Sequence, residues 1–420
     1  MGTTRLRRLW TAFVVWGLWA AAPAGAEGIA AWVQYTAAGV EVRAVAPQSC
    51  PTLRVDGVPQ PMTVRAAPTT DHPDVVCAAP LPDDVESVRL GGRSLPVPVR
   101  ERPQRVVVMG DTGCRLSAKH GLYQECNNDS LWPFARVAEA VRAYDPDLIL
   151  YTGDYIYRES PCPDGDNGCA GSPHGDNQAT WEADWLVPAA PVHGAAPLVL
   201  MRGNHETCAR AGTGWFRYLD ARPPPATCQE STDPWVVSFD TMQVGVMDVA
   251  TLDGASGPLV DLFADQLEFL NGALTRPSWI AAHRTFWGYG ADDDTGELTT
   301  PTQELQDAVR KAGLPRETRL LVGAHIHLAE VLDFGGARPP QLVVANGGTQ
   351  LVPRVDPPDE IDGVAIGDQR VVYQYGFVTL EPAGAKRWSI GFRDVEGREI
   401  ERCELHGLRV RCKNDGPPRR

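Results

Sequence analysis

After its first residues, the chain lacks any hydrophobic run long enough to cross a bilayer, which argues against a later membrane-spanning helix. It also lacks an internal repeat, so we do not expect a repeat architecture. No pair of Cys-x-x-Cys motifs is present, which argues against a zinc–thiolate site. These absences leave a globular chain of 420 residues, enough for a large core and two domains.

The chain has fewer basic than acidic side chains. The chain has 39 Lys and Arg against 53 Asp and Glu, a formal net charge of −14. Such a chain is a poor general binder of nucleic acid or of an anionic membrane surface. We therefore expect no nucleic-acid partner and no stable membrane association, although net charge does not exclude a basic pocket.

The first 26 residues are typical of a secretory signal peptide. Arg5, Arg7 and Arg8 form a basic start, residues 9–22 are apolar, and residues 24–26 (Ala-Gly-Ala) form a small-residue cleavage site. We expect cleavage after Ala26 and a secreted or periplasmic protein. An uncleaved anchor is the alternative, whereas the absence of cysteine at the cleavage point argues against a lipoprotein.

The ten cysteines are an even number in a chain predicted to be exported, which favours disulfides. Spacing alone does not establish connectivity. Pairing between neighbours is the simplest hypothesis, and it gives the bridges Cys50–Cys77, Cys114–Cys126, Cys162–Cys169, Cys208–Cys228 and Cys403–Cys412.

The hydrophobic pattern changes near residue 100. Residues 27–100 alternate apolar and polar positions and predict a small all-β domain. From residue 105, short apolar strands alternate with helical periodicity, which predicts an α/β (α+β) domain over 105–400. Residues 401–420 predict a disulfide-closed C-terminal hairpin followed by a disordered tail.

Polar side chains follow the predicted strands at the point where each strand ends. Ligands of α/β proteins gather beyond the carboxyl ends of strands, so these residues are candidates for one site. They are Asp111, Asp154, Asn204, His205, His283, His325 and His327.

Five ordered motifs carry a more specific signal. They are GDTG (110–113), GDYIY (153–157), GNHE (203–206), IAAH (280–283) and AHIH (324–327). Together they resemble the motif series of the metallophosphoesterase (calcineurin-like) superfamily, closest to its purple acid phosphatase version. The resemblance spans about residues 105–350. It implies an α-β-β-α sandwich for the catalytic domain.

The resemblance also implies two metal ions. Two cations held close together need a shared anion, and a carboxylate can bridge them. The resemblance assigns the bridge to Asp154, the first metal to Asp111, Tyr157 and His327, and the second to Asn204, His283 and His325. With the bridge, the first site has three anionic groups, which suits Fe(III). The second adds only neutral ligands, which suits a divalent Zn, Fe or Mn ion.

Two of these residues have roles that depend on the metals. A free tyrosine has a pKa of about 10, but a trivalent ion favours its phenolate form, so Tyr157 is interpreted as an iron ligand. The alternative is a core aromatic side chain. His205 lies outside the ligand set, and the resemblance implies that it binds phosphate or assists protonation of the leaving oxygen.

The implied activity is hydrolysis of a small phosphomonoester by attack of a metal-bound hydroxide, with Asp154 and His205 as the catalytic residues. A phosphodiesterase on the same metals is one alternative. A non-catalytic exported binding protein that keeps the fold is another. Arg202 and Arg284 are candidate phosphate contacts or structural ion-pair partners, and Glu206 orients a neighbour or is simply solvated.

Three of the predicted disulfides begin beside the metal motifs. Cys114 follows GDTG, Cys162 lies five residues after Tyr157, and Cys208 lies three residues after His205. If neighbours pair, these bridges fix the three loops that leave the metal-bearing strand ends. We therefore expect the bridges to hold the ligands in register.

Overall fold

The computed structural model describes residues 30–251, 256–292, 295–300 and 303–413, together with Gly2. The predicted signal peptide, apart from Gly2, lies outside the described residues. The predicted disordered tail, residues 414–420, lies outside them as well.

The strands are short, and most cross buried layers. In chain order they are β1 (Ala30–Thr36), β2 (Gly39–Ala46), β3 (Thr52–Val55), β4 (Val58–Pro61), β5 (Thr63–Ala66), β6 (Val75–Pro80), β7 (Val88–Leu90), β8 (Arg93–Leu95), β9 (Val106–Met109), β10 (Leu116–Ser117), β11 (Leu122–Tyr123), β12 (Leu148–Tyr151), β13 (Leu198–Leu200), β14 (Trp235–Ser238), β15 (Gln243–Val246), β16 (Ser278–Arg284), β17 (Gly290–Ala291), β18 (Leu298–Thr299), β19 (Thr318–Ala324), β20 (Ala329–Asp333), β21 (Gln341–Val344), β22 (Glu360–Ile361), β23 (Val364–Ala365), β24 (Asp368–Val372), β25 (Gly376–Pro382), β26 (Arg387–Asp394), β27 (Glu399–His406) and β28 (Arg409–Cys412).

The helices follow the periodic segments of the sequence. They are α1 (Phe134–Tyr144), α2 (Gln178–Trp181), α3 (Ala190–His193), α4 (Gly212–Tyr218), α5 (Ser256–Ala273) and α6 (Gln303–Ala312). A π-helical turn, Glu182–Leu186, continues α2, and a 3-10 turn, Asn204–Glu206, follows β13.

Two large sheets form the centre of the molecule. The first has the order β28-β27-β26-β25-β9-β12-β13-β1-β2-β6-β5, and the second has the order β14-β15-β16-β19-β21-β20-β24. β9, β12 and β13 pair in parallel in the first sheet, as do β15, β16, β19 and β21 in the second. These strands are short apolar runs, as expected where both faces of a parallel sheet are covered.

Alternating side chains of each strand enter two different cores. Val106 and Val108 of β9 join the core between the two sheets, whereas Val107 and Met109 face outward. The outward residues pack against the apolar stripe of α1. Neighbouring side chains of a strand point to opposite faces, so the four residues of β9 contribute two side chains to each core.

The second sheet has the same arrangement with its own helices. Ile280 and Ala282 of β16 pack against α5 and α6, while Ala281 faces the core between the sheets. The layers are therefore helices, sheet, sheet and helices. The predicted α-β-β-α sandwich is confirmed.

The N-terminal segment forms a small β structure that is continuous with the first sheet. β1 pairs in parallel with β13 and antiparallel with β2, so the first sheet extends into this segment. A four-stranded sheet, β4-β3-β7-β8, covers its outer face through a separate apolar core. The predicted β-rich region is present, while its boundary near residue 100 stays a prediction.

All five disulfides join the neighbours that the simplest hypothesis paired. The bridge Cys403–Cys412 closes the hairpin of β27 and β28, where the two cysteines lie opposite each other. Among the described residues, no helix combines the length and apolar character needed to span a bilayer.

Candidate metal centre

The loops that leave five strand ends meet at one edge of the sandwich. Asp111 follows β9, Asp154 and Tyr157 follow β12, and Asn204 and His205 follow β13. The second sheet supplies His283 from the end of β16 and His325 and His327 from the loop after β19. Parallel strands place these ends together, as expected.

Four of the candidate ligands have left-handed backbone. The φ angles are 52° at Asp111, 56° at Asp154, 78° at His325 and 45° at His327. A non-glycine residue rarely has a positive φ, and such positions cost about 1–3 kcal/mol each. The surrounding fold therefore holds these side chains in directions that an unconstrained chain would avoid.

The first group of ligands converges on the Tyr157 hydroxyl. Its Oη lies 2.7 Å from Asp154 Oδ2, 2.9 Å from Asp111 Oδ1 and 2.9 Å from His327 Nε2. All four side chains are buried. This is the set that the sequence predicts for the first metal.

The second group lies on the other side of Asp154. His283 Nε2 lies 3.2 Å from Asp154 Oδ2 and 3.0 Å from Asn204 Oδ1. Asp154, His283 and His325 each offer a ligand atom within 4.8 Å of the others. The Nδ1 of His283 lies 2.8 Å from the carbonyl oxygen of Thr152, a contact that in the neutral ring leaves Nε2 for a metal.

The electrostatics of the cluster fit a pair of cations. Burial raises the pKa of Asp111 to about 8, with His283 opposing and Asp154 adding to the shift. Burial and the two carboxylates also raise the pKa of Tyr157 well above its ordinary value. Burial, with Arg284 beside the ring, lowers the pKa of His325 well below its ordinary value. Bound cations would stabilise the deprotonated form of each of these groups, and their oxygen and nitrogen atoms suit such ions.

Asp154 has a different electrostatic position. Burial acts to raise the pKa of Asp154, but His283 and His205 outweigh it and hold that pKa well below its ordinary range. His283 shows the reciprocal effect, because Asp154 outweighs burial and raises the pKa of His283 to about 9. Of the two carboxylates, Asp111 and Asp154, it is therefore Asp154 that keeps its charge.

Glu206 fixes the loops that carry these ligands. Its buried carboxylate accepts backbone N–H groups from Gly203 and Asp154, each at 3.0 Å, and from Tyr155 at 2.9 Å. Glu206 therefore orients its neighbours and is not a solvated side chain. A Cβ on Gly203 would lie 2.0 Å from Asp154 Oδ1, so this close approach requires glycine.

Asp184 is a support that sequence reasoning missed. It belongs to the π-helical turn and is fully buried, and it accepts the backbone N–H groups of Cys114 at 3.2 Å and Tyr157 at 3.0 Å. Its carboxylate also pairs with Arg158. No motif surrounds Asp184, and the only signal was an acidic residue inside an apolar helical stretch.

A cavity of about 410 Å³ opens over the cluster. His205 lies in its wall, with Nδ1 3.0 Å from Glu159 Oε1 and Nε2 3.0 Å from Arg210 Nη2. The same Nε2 is 3.9 Å from Asp154 Oδ2. His205 is thus beside the ligand set without belonging to it, and the sequence pointed to neither Glu159 nor Arg210.

The two candidate arginines have separate positions. Arg284 lines the cavity, and its Nη1 lies 2.8 Å from His325 Nε2. Arg202 is buried elsewhere, donating to the carbonyl oxygen of Glu206 at 2.9 Å and pairing with Asp248 at 3.3 Å. Arg202 therefore has the structural role that was one of its two interpretations.

Comparison with solved structures identifies proteins that have the same fold. The solved structures that share it include purple acid phosphatase PPD1 from yellow lupin (Lupinus luteus) seeds, and PhoD. The first has a TM-score of 0.56 and 14% identity, covering 90% of this chain and 74% of that chain. The second has a TM-score of 0.53 and 11% identity, covering 93% and 92%. At these identities the likeness shows the fold alone.

No curated protein sequence matches this chain significantly. Residues 104–328, however, match the family model described as Calcineurin-like phosphoesterase, which confirms the resemblance carried by the five motifs. Because that match covers more than half of the 420 residues, the chain belongs to the calcineurin-like phosphoesterase family, whose superfamily uses a dinuclear metal centre.

Proposed function

We propose that this protein is an exported binuclear-metal phosphatase that hydrolyses phosphomonoesters. One observation carries the proposal: Asp154 Oδ2 lies 2.7 Å from Tyr157 Oη and 3.2 Å from His283 Nε2. A single carboxylate therefore contacts both ligand groups, which is the arrangement that two neighbouring cations require. The five disulfides favour an oxidising compartment and so support export.

The ligand sets favour two different ions. Asp111, Asp154 and a Tyr157 phenolate would give three negative charges at the first site, which suits Fe(III). The second site adds an amide oxygen and two imidazoles, and suits a divalent Zn, Fe or Mn ion. When bound, the two ions would supply an activated water and would neutralise charge on the phosphoryl group.

The cavity wall supplies the remaining groups. In this proposal, His205 holds a phosphoryl oxygen or gives a proton to the leaving oxygen. Glu159 lies beside its ring, with Oε1 3.0 Å from Nδ1. Arg210 and Arg284 line the same cavity and can donate to a phosphate in the manner of planar guanidinium groups.

Metal analysis together with one assay tests this function. Purified protein reconstituted with iron and a divalent ion should hydrolyse p-nitrophenyl phosphate faster than bis(p-nitrophenyl) phosphate. The reverse order would identify a phosphodiesterase. Metal-loaded protein that hydrolyses neither ester would contradict the proposal and favour a binding protein.

The identity of the first metal has its own test. Iron(III) bound to the Tyr157 phenolate should give a visible absorption band that disappears in Tyr157→Phe. A band that survives in Tyr157→Phe would show that this residue is not the ligand. A colourless protein that is active with divalent ions alone would remove Fe(III) from the account.

A further inference from the structure

The segment that follows β21 crosses from the second sheet to the first. The N–H of Ala345 donates at 2.9 Å to the carbonyl oxygen of Leu328, the residue before β20, so it is still attached to the second sheet. One residue later, the carbonyl oxygen of Asn346 accepts the N–H of Gly376 at 3.0 Å, and Gly376 begins β25 of the first sheet. We call residues 345–352 the crossing segment.

The crossing segment holds the backbone at Asp111. The N–H of Gly347 donates to the carbonyl oxygen of Gly110 at 3.1 Å, and the N–H of Thr349 donates to that of Asp111 at 2.9 Å. Asp111 has a left-handed φ of 52°, a conformation that persists only where the surrounding structure enforces it. The crossing segment supplies two of the hydrogen bonds that do so.

The same segment also holds His327. The N–H of Val352 donates to the carbonyl oxygen of His327 at 3.3 Å, and His327 has a left-handed φ of 45°. Asp111 and His327 come from different sheets, and both belong to the ligand set proposed for the first metal. The ligands proposed for the second metal alone are Asn204, His283 and His325. Within the described ranges, the crossing segment forms no backbone–backbone hydrogen bond with any of these three.

Two glycines allow the close approach to the loop of Asp111. A Cβ on Gly347 would lie 2.5 Å from the carbonyl oxygen of Gly110, and a Cβ on Gly348 would lie 2.5 Å from that of Thr112. Real Cβ atoms do not come so close to backbone atoms, and a backbone carbonyl cannot rotate aside as a flexible side chain does. An alanine at either position would therefore push away the backbone that carries Asp111.

The first ligand group has little tolerance for such a displacement. Asp111 Oδ1 and His327 Nε2 lie 3.6 Å apart, and each is 2.9 Å from Tyr157 Oη. A bound metal requires ligand distances within about 0.2 Å of their ordinary values. Even a small shift of the Asp111 loop relative to His327 would therefore weaken this site.

We infer that residues 345–352 are a positioning element for the first metal, because they fix Asp111 relative to His327. The inference rests on the proposed binuclear function. The crossing segment acts through these two ligands and has no part of its own in the chemical step. The second metal should be much less sensitive to it, since the ligands proposed for that metal alone are held by other parts of the chain.

Two alanine variants test the inference through metal binding. In Gly347→Ala and Gly348→Ala, the affinity for the first ion should fall by about 10- to 100-fold, the loss typical of residues that orient metal ligands. The iron–tyrosinate absorption should weaken with it. The affinity for the second ion should stay close to the wild-type value. Elemental analysis and competition with a chelator measure both affinities.

Two further variants serve as controls. Gly245→Ala also inserts a methyl group at a packed position, because its Cβ would lie 2.9 Å from Leu270 Cδ2 between β15 and α5. It should lower the free energy of unfolding and leave the ratio of the two metal affinities unchanged. Asn204→Ala removes a ligand proposed for the second metal, so it should lose the second ion and keep the visible absorption.

A milder variant decides the question if neither glycine variant folds. Asn346→Ala removes the donation from Nδ2 to the carbonyl oxygen of Gln374 at 2.8 Å and adds no atom that could collide. It should weaken binding of the first ion by about two- to tenfold, the range expected from one hydrogen bond. An unchanged ratio of the two affinities in Asn346→Ala would then overturn the inference.

The outcomes separate this inference from the proposed function. If the glycine variants bind both ions as wild-type protein does, or lose both ions equally, the crossing segment does not position the first metal. If wild-type protein binds only one ion, the inference and the proposed function are both overturned. If it binds two ions and the variants lose the first selectively, but no ester is hydrolysed, the phosphatase function fails and the inference stands.

Discussion

Replacing Asp184 tests whether this buried carboxylate, which belongs to none of the five motifs, holds the loops of the first metal site in place. Its Oδ1 accepts from Arg158 Nε and from the N–H of Cys114, while its Oδ2 accepts from the N–H of Tyr157. The side chains of Asp184 and Arg158 are 0% and 4% exposed. In Asp184→Asn, we expect the amide oxygen to keep Arg158 and the amide nitrogen to face the N–H of Tyr157.

We expect Asp184→Asn to lose much of its free energy of unfolding. Breaking a buried ion pair by changing one partner costs about 3–5 kcal/mol, because the other charge stays buried. That figure includes the buried N–H of Tyr157 left without an acceptor, which alone costs about 1–3 kcal/mol. We therefore expect the free energy of unfolding to fall by about 3–5 kcal/mol, with the Tyr157 loop loosened locally.

Asp333→Asn is a matched control at a distance from the metal ligands. Asp333 is also fully buried, accepts the N–H groups of Gly335 at 3.0 Å and Val410 at 2.7 Å, and pairs with Arg409. Both variants should unfold at lower urea concentration. Under conditions where both are folded, only Asp184→Asn should lose bound metal and visible absorption. Equal metal content in the two variants, or a loss below about 1 kcal/mol in Asp184→Asn, would refute the reasoning.

Three further predictions follow from the same geometry. The double variant Cys114→Ser/Cys126→Ser should lower metal content and activity more than helical content in circular dichroism, since it frees the loop after β9; equal losses would contradict this. Burial lowers the pKa of His193 to about 3, so below pH 6.5 this imidazole binds a proton in the unfolded chain but not in the folded chain. Below that pH, His193 should therefore lower the free energy of unfolding by about 1.4 kcal/mol per pH unit. In urea titrations, His193→Leu should reduce the fall in the free energy of unfolding between pH 7 and pH 4.5 by about 2–3 kcal/mol. An unchanged pH dependence in this variant would exclude His193 as the cause. Gly203→Ala should abolish metal binding, because its Cβ would collide with Asp154, and retention of two metals per chain would show that the loop can move.

The sequence predicted the parts of the site that local patterns carry. Leu148–Tyr151 is a continuous apolar run that ends at Gly153-Asp154, so both the strand and the ligand after it could be located. The same holds for β9 and β19. The apolar stripe of α1 likewise marked a helix that covers one face of a sheet.

Contacts between distant segments had no local signal. Asp184 lies 27 residues from Tyr157 along the chain, and only the π-helical turn brings its carboxylate to that loop. The cavity wall is similar, because Lys119 lies in the turn between β10 and β11, and the position of this hairpin depends on pairing with another loop. The parallel pairing of β1 with β13 could not be foreseen either, since alternation predicts a strand and not its partner.

The most direct test counts the metals and asks what Asp154 does for them. Fully loaded wild-type protein should contain two metal ions per chain by elemental analysis. Asp154→Ala should bind no more than one ion and should lose phosphatase activity, because both ligand groups meet at that carboxylate. A single ion in active wild-type protein, or full activity in Asp154→Ala, would contradict the account.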